Sequence, residues 1–431
     1  MRYTTNYDIG DRKRGHGINE DSLTITVFEQ GHREGYRGQI RPADRETADD
    51  DEPSPDVDTD ADAVDADTDA DEGDVDTVDD EATGPDEDSA EKTDDAGASF
   101  DDKIFDATRT DDDTDTDDTP QGRPANRSAG VFVLADGAGG HDAGDVASYI
   151  ATSVIAEHLS PVAINAVRSH PEDFDIDITP AVLPDTLGPE DIQTGLENAI
   201  IDAHREILRY AGESGTQAYT TVVAGVYVDG HLHLGWVGDS RAYLVNEAHG
   251  EIVRLTKDHA VVEEMEDAGE IDSVEAHVHP NGNEITRALG GSGHEDPERA
   301  MVEVDTRSVR LFADDTVLVT SDGLIDAQTD APDLYDEYIA ADRSEAVAER
   351  VREEVVTDAE IRDVLLDADS IDSAAKEYVS LSNERGGKDN ISVMLFEDET
   401  LPPTPSGGLP VRAADPDIDI SERDTVILAD E

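Results

Sequence analysis

The chain contains no cysteine, which removes disulfides, thiol catalysis and thiolate metal sites together. Lysine is scarce: of 32 basic residues only six are Lys, at 13, 92, 103, 257, 376 and 388. Aromatic residues make up 4%, a small share for a chain that builds a core. No apolar run approaches the about 18 residues that would span a bilayer, and the opening MRYTTNYDIGDRKR has no apolar stretch of the signal-peptide kind. These absences predict a soluble cytoplasmic protein without membrane contact. What abounds is acid: 106 Asp and Glu against 32 Lys and Arg, a net charge of −74 over 431 residues. So negative a chain is excluded from gripping nucleic-acid phosphates or anionic lipid. Its acid-rich, Lys-poor composition is similar to that of proteins from salt-loving archaea. At about 1 M salt the screening length is roughly 3 Å, and dense surface carboxylates then repel each other little.

The acid is unevenly spread. Asp51 to Asp118 holds 31 acidic residues and three bases, a net of −28 in 68 residues. With few apolar residues and no amphipathic period, this stretch cannot offset its ordering entropy and is expected to be disordered. A calcium loop fails here, because Asp67, Asp69 and Asp71 alternate correctly but Gly73 comes one residue late and Val78 stands where Glu is needed. The expected organisation is therefore 1–45 as the start of a folded domain, 46–124 as an acidic insert between its first two strands, 125–397 as the rest of that domain, and 398–431 as an acidic tail.

The folded part reads as strands punctuated by helices. VFVLA (131–135) is a continuous apolar run, and TITVF (24–28) alternates. TTVVAGVYV and HLHLGWVG flank Asp229-Gly230, a hairpin signature. RAYLVNEAHGEIVRLT reads as a second hairpin, and TVLVTSD and ISVMLFE as further strands. Helical spacing marks 145–159, and again 189–212, where Ile192, Leu196, Ile200, Ala203 and Ile207 share a face. EAVAERVREEVV and SAAKEYVSLSNE add two helices. Hairpins imply antiparallel sheets and long helices imply covering layers. The α+β class is predicted, with two antiparallel sheets flanked by helices.

Several acids stand where strands end, beside Gly or Asn: Asp21 after Asn19-Glu20, Asp136 before Gly137, Asp239 after Gly238, Asp322 before Gly323, and Asp389 before Asn390. A carboxylate at a strand end projects to a shared rim, and a neighbouring Gly lets a carbonyl approach a cation. Convergent oxygens without thiolates suit hard ions such as Mg²⁺ or Mn²⁺. Each pair alone reads equally as a solvated turn; their serial order is more specific. Asn19-Glu20-Asp21, Asp136-Gly137-Ala138-Gly139-Gly140-His141, Thr220-Thr221, Gly238-Asp239-Ser240-Arg241, Leu255-Thr256-Lys257-Asp258-His259, Thr286-Arg287-Ala288-Leu289-Gly290, Ser321-Asp322-Gly323 and Lys388-Asp389-Asn390 follow one another. That series closely resembles the metal-dependent protein phosphatase family (protein phosphatase 2C type), in its compact bacterial-like form, over about 1–30 and 125–397.

The resemblance implies a four-layer αββα sandwich and a serine/threonine phosphatase using a metal-bridging water, with no covalent intermediate. It implies two Mg²⁺ or Mn²⁺ ions and a third held weakly. Asp136 would bridge the two ions and Gly137 offer its carbonyl. Asp322 and Asp389 would complete the second ion, Glu20 hold a bound water supported by Asp21, and Asp239 serve the third. Thr221 and Asn390 would back these ligands. A mobile flap is implied at about 258–290, packed through Met265, Ile271 and Ala276. Phosphoproteins, and an opposing Ser/Thr kinase, are the implied partners of a monomer.

One departure concerns phosphate. The family's guanidinium, three residues before the Asn of Asn-Glu-Asp, falls on His16 here. Either a short insertion brings Arg14 into place, or His16 substitutes, or phosphate is bound more weakly, and Arg14 is the expectation. His141 could protonate the leaving oxygen or merely cap the next helix. His231 and His233 share a strand face without a third ligand and read as surface or core residues. Ser240 lacks the frame of a nucleophile, and Arg241 is expected to order carboxylates. The reading from another class is a catalytically inactive phosphatase-like binding module.

Overall fold

The computed structural model describes residues 1–15, 17–29, 32–39, 128–138, 143–166, 187–228, 230–292, 296–325 and 331–406. All of them belong to one unit, Met1–Arg45 with Pro120–Glu431. The expected acidic insert and the TVILA run of the tail lie outside the described residues.

Thirteen strands, numbered in chain order, form two antiparallel sheets among the described residues. The larger contains β2 (Asp21–Glu29), β3 (His32–Gln39), β4 (Ser128–Ala138), β5 (Ala218–Thr220), β6 (Val222–Val228), β7 (His231–Val237), β10 (Leu289–Gly291) and β11 (Asp305–Arg310). Its order is β10-β5-β4-β6-β7-β11, with β2 pairing both β3 and β4. The smaller runs β1-β13-β12-β8-β9, from β1 (Arg2–Asp8), β13 (Ile391–Glu397), β12 (Asp315–Thr320), β8 (Arg241–Asn246) and β9 (Glu251–Arg254). Three strands thus precede the expected insert rather than one, because β1 and β3 pair through polar sequences that carry no apolar alternation.

Period-two side chains sort the apolar residues into layers. On β4, Val131, Val133 and Ala135 face one core, which α1 (Gly144–Ala166) and α2 (Pro189–Ser214) cover through Ala147, Ala151, Ile155, Leu196 and Ile200. Phe132 and Leu134 of the same strand face a second core, shared with Leu244, Val317, Val319, Met394 and Phe396 of the smaller sheet. The outer face of that sheet, with Tyr243, Val245, Leu318, Val393 and Leu395, packs on α7 (Asp358–Asp367) and α8 (Ile371–Glu384). Helix, sheet, sheet, helix is the resulting order, as expected.

The helices end where their sequences say. α2 begins at Pro189, whose missing N–H is no loss in a first turn, and stops at Gly215 in the left-handed region (φ 71°). A satellite core joins α4 (Ser273–Val278) to α5 (Ala331–Ala340) and α6 (Glu345–Glu354) through Val274, Val278, Leu334, Tyr338 and Val351. With α3 (Val261–Asp267), α4 occupies the segment expected as a flap. There Ile271, Val274 and Val278 are buried, while Met265 and Ala276 are only partly covered. The chain beyond β13 continues onto the domain to residue 406: Asp398 faces the terminal ammonium of Met1 at 3.6 Å, and Leu401 packs against the inter-sheet core.

Candidate active site

Antiparallel pairing brings the acid-bearing strand ends to one rim. Asp21, opening β2, stands opposite Asp136 near the end of β4. On the other sheet, Thr320 at the end of β12 pairs with Val393 near the start of β13, so Asp322 and Asp389 emerge together. Asp8 closes β1 opposite Ile391 and sends the following turn across the same rim.

Backbone contacts fix the carboxylates. The Asp136 carbonyl accepts from Thr221 N–H at 2.8 Å and Thr220 Oγ1 at 2.7 Å, while Thr221 Oγ1 accepts from Asp136 N–H at 3.2 Å. Gly137 N–H donates to the Glu20 carbonyl at 3.2 Å, and a Cβ on Gly137 would strike that oxygen and the Gly144 carbonyl. This crowding is the reason for glycine there. Asn390 Oδ1 accepts from Glu20 N–H at 2.9 Å. Asp21 is fully buried, and its Oδ2 accepts from Ser392 Oγ at 2.5 Å and Ser321 Oγ at 3.0 Å. Neither Ser392 nor the pairing of Thr220 with the Asp136 carbonyl is a sequence expectation; their place beside Asp389-Asn390 and Thr221 is the signal that marks them.

The electrostatics are those of crowded anions. Burial, and then the charges of Asp21, Asp322 and Asp389, push the Asp136 carboxyl far above its ordinary range. Asp21 is raised to about 6, chiefly by burial and against the serine hydrogen bonds. Burial likewise raises Glu20, with Lys13 opposing. Glu20 Oε1 and Asp21 Oδ1 are buried and find no hydrogen-bond donor among the described residues. Oxygens left unsatisfied at a crowded anionic rim fit a hard cation, since a cation would satisfy them and relieve the repulsion. Among the described residues, no three His, Asp or Glu are drawn closely enough to close a cage around one ion as they stand.

A cation of the chain itself occupies the rim. Lys13 Nζ pairs with Asp389 Oδ1 and lies 3.7 Å from Glu20 Oε2 and 3.4 Å from Asn390 Oδ1. Burial opposes its charge, yet Asp389 and Glu20 hold its pKa above the ordinary value. Arg14, expected to face the phosphate, instead reaches Asp8 at 2.7 Å and Asp11 at 2.8 Å and is 55% exposed. In this turn it is Lys13 that enters the rim, while its neighbour Arg14 stays on the outer acids. His16 and His141 lie outside the described residues.

Beside the rim a cavity of about 680 Å³ is lined by Asp239, Asp322, Lys388 and the flap residues His277, His279 and Asn283. Asp239 therefore shares an opening with Asp322. Arg241 binds Asp258 through two nitrogens at 2.8 and 2.6 Å, ordering a carboxylate as expected. Arg254 joins them, 3.8 Å from Asp258 and 2.6 Å from Glu263. Ser240 Oγ lies 2.8 Å from Thr221 Oγ1. His231 is exposed, whereas His233 is buried, bonded to Ser308 at 2.7 Å and pushed down to about 4, first by burial. No helix among the described residues is long and apolar enough to cross a membrane.

Comparison with known proteins places the chain in a family. The serine/threonine phosphatase stp of Listeria innocua is 31% identical over 270 residues, covering 62% of this chain and 84% of that protein. The serine/threonine protein phosphatase PstP of Mycobacterium tuberculosis is 34% identical over 202 residues, 47% of this chain and 33% of that one. A crystal structure of the PstP catalytic domain in complex with two manganese ions is 26% identical, covers 63% of this chain and 88% of its own, and superposes with a TM-score of 0.42. The sequence model of the family described as protein phosphatase 2C matches residues 107–366, more than half of the chain. The protein belongs to the protein phosphatase 2C family.

Proposed function

We propose that this phosphatase hydrolyses phosphoserine and phosphothreonine esters of proteins by in-line attack of water, without a covalent enzyme intermediate. The observation that carries the reading is the pair of buried, donor-less oxygens, Glu20 Oε1 and Asp21 Oδ1, on the chain segment that pairs with Asp136 and Gly137. Asp136, the Gly137 carbonyl, Asp322, Asp389 and Glu20 would hold two Mg²⁺ or Mn²⁺ ions, with Asp21 beneath them and Asp239 toward a third. Bound there, such ions supply Lewis acidity, acidifying water and offsetting the charge that builds on the phosphoryl oxygens. The chain's own residues do the rest. Thr220, Thr221 and Asn390 hold the Asp136 and Glu20 backbones in place, which keeps the acceptor geometry fixed before substrate arrives. Lys13 supplies the positive charge that meets the phosphate, in the place expected of Arg14 or His16. His141 would return a proton to the leaving serine or threonine oxygen. Absence of cysteine agrees with a mechanism lacking a thiolate nucleophile. Phosphoproteins made by an opposing Ser/Thr kinase are the substrates, met by a monomer in a salty cytoplasm.

The test is hydrolysis of a phosphothreonine peptide with Mn²⁺ in high KCl, comparing wild type with Asp322→Asn. Wild type turns over and Asp322→Asn does not. Equal rates, or none in either, would sink the proposal.

A further inference from the structure

Lys13 has its ammonium on two of the carboxylates assigned to the cations, Glu20 and Asp389. Its placement is built by the backbone. After β1 the chain turns through Gly10, in the left-handed region (φ 80°), where any Cβ would collide with the Asp389 carbonyl. Arg12 N–H donates to the Gly387 carbonyl at 3.1 Å, and Asp11 N–H to Asn383 Oδ1 at 2.9 Å. Lys13 N–H closes the turn on the Gly10 carbonyl at 3.1 Å, and its own carbonyl accepts from Gly17 N–H at 2.8 Å. The turn is thus stapled to the loop that carries Asp389, and it starts the lysine stem beside that carboxylate. Its side chain is 26% exposed, so the ammonium sits at the mouth of the rim rather than in the core.

Resting on the cation-site reading above, we infer that Lys13 is a tethered competitor for that site. It neutralises Glu20 and Asp389 while the divalent cation is absent, and it must leave them when the cation binds. Two positive groups cannot share the same pair of oxygens, because like charges brought that close in a site shielded from water repel strongly. A flexible four-carbon stem and a compact ammonium permit the move. The displaced ammonium stays on its staple and within reach of the rim mouth, where a phosphate dianion becomes its new partner. The site therefore exchanges one internal cation for external ones, and the phosphate-binding charge becomes available only once the metal is in place.

The experiment titrates MnCl₂ by calorimetry into the full chain, freed of metal by chelation, in KCl sufficient to keep it folded. Wild type, Lys13→Met, Lys13→Arg and Asp136→Asn are compared. Lys13→Met binds Mn²⁺ about tenfold more tightly than wild type, the scale of one partly buried ion pair, and Lys13→Arg stays near wild type. The metal-free Lys13→Met protein also melts below wild type, and saturating Mn²⁺ removes that difference. If Lys13→Met binds Mn²⁺ no more tightly than wild type while Asp136→Asn loses binding, the competition is wrong and the cation site stands. A wild type that binds no Mn²⁺, or an Asp136→Asn that binds like wild type, overturns both.

Discussion

Two groups of carboxylates, one under the flap and one at the rim, are treated oppositely. Under the flap, Asp258 pairs with Arg241 and Arg254, Glu263 with Arg254, and Asp305 with Arg287 at 2.7 Å, the His259 ring lying 3.3 Å from Asp305. Hydrogen bonding from His259, then Arg287, holds the Asp305 carboxyl below its ordinary range. At the rim, Asp21 and Asp136 crowd each other, their carboxyls are pushed up, and Glu20 Oε1 and Asp21 Oδ1 stay without a donor. The first group is complete as folded and holds β8 to the flap. The second is complete only with something added. In a chain of net charge −74, the number of acids says nothing about function, whereas the way each is neutralised does.

That contrast can be broken in four ways. The largest effect belongs to Asp136→Asn, which loses phosphopeptide hydrolysis on the order of 10⁴-fold, because several kcal/mol of transition-state stabilisation vanish at about 1.4 kcal/mol per tenfold. Its circular dichroism stays that of wild type. Asp258→Ala strands the Arg241 guanidinium and costs about 3–5 kcal/mol of stability in denaturant unfolding. If it unfolds no more easily than wild type, the flap cluster is not the self-sufficient one.

Acid separates the two groups by sign. A carboxyl raised in the folded state binds protons that the unfolded chain does not, so its penalty is absent at low pH and grows as pH rises from the ordinary carboxylate range to about 6. Asp21→Asn therefore stabilises the chelated protein at pH 7 and leaves it unchanged near pH 4. A carboxyl that is lowered, such as Asp305, contributes stability above its unfolded pKa and loses it as pH falls through its folded value. Asp305→Asn consequently destabilises at pH 7 and less so in acid. Melting temperatures of both variants across this range check the two slopes. The smallest effect is that of Arg14→Ala, whose exposed pairs with Asp8 and Asp11 are worth about 1 kcal/mol or less, with KM for the phosphopeptide unchanged. A rise in KM would return the phosphate to Arg14.

The layers were legible wherever burial writes a period. VFVLA, TVLVTSD and ISVMLFE became β4, β12 and β13, and the 3–4 spacing of Ile192 to Ile207 became α2. β1 was not, because RYTTNYD is half-buried and its hold on the sheet comes from backbone pairing with β13. The residue that this missing strand carries to the rim was lost with it. Lys13 follows Gly10 by three residues in a charged turn, and only the nonlocal register of Asp8 with Ile391 places it on Asp389. The aspartates themselves were legible from Gly and Asn beside strand ends. Their mutual destabilisation was not, since it arises from the pairing of Asp21 with Asp136 across 115 residues of sequence.

The central claim is that the rim is an incomplete site that a divalent cation completes, while the flap cluster is complete without one. Calorimetric titration of Mn²⁺ into the chelated wild type, Asp136→Asn and Asp258→Asn tests it most directly. Binding is expected in wild type, with its loss in Asp136→Asn and its retention in folded Asp258→Asn. Mn²⁺ uptake by Asp136→Asn equal to that of wild type would contradict it.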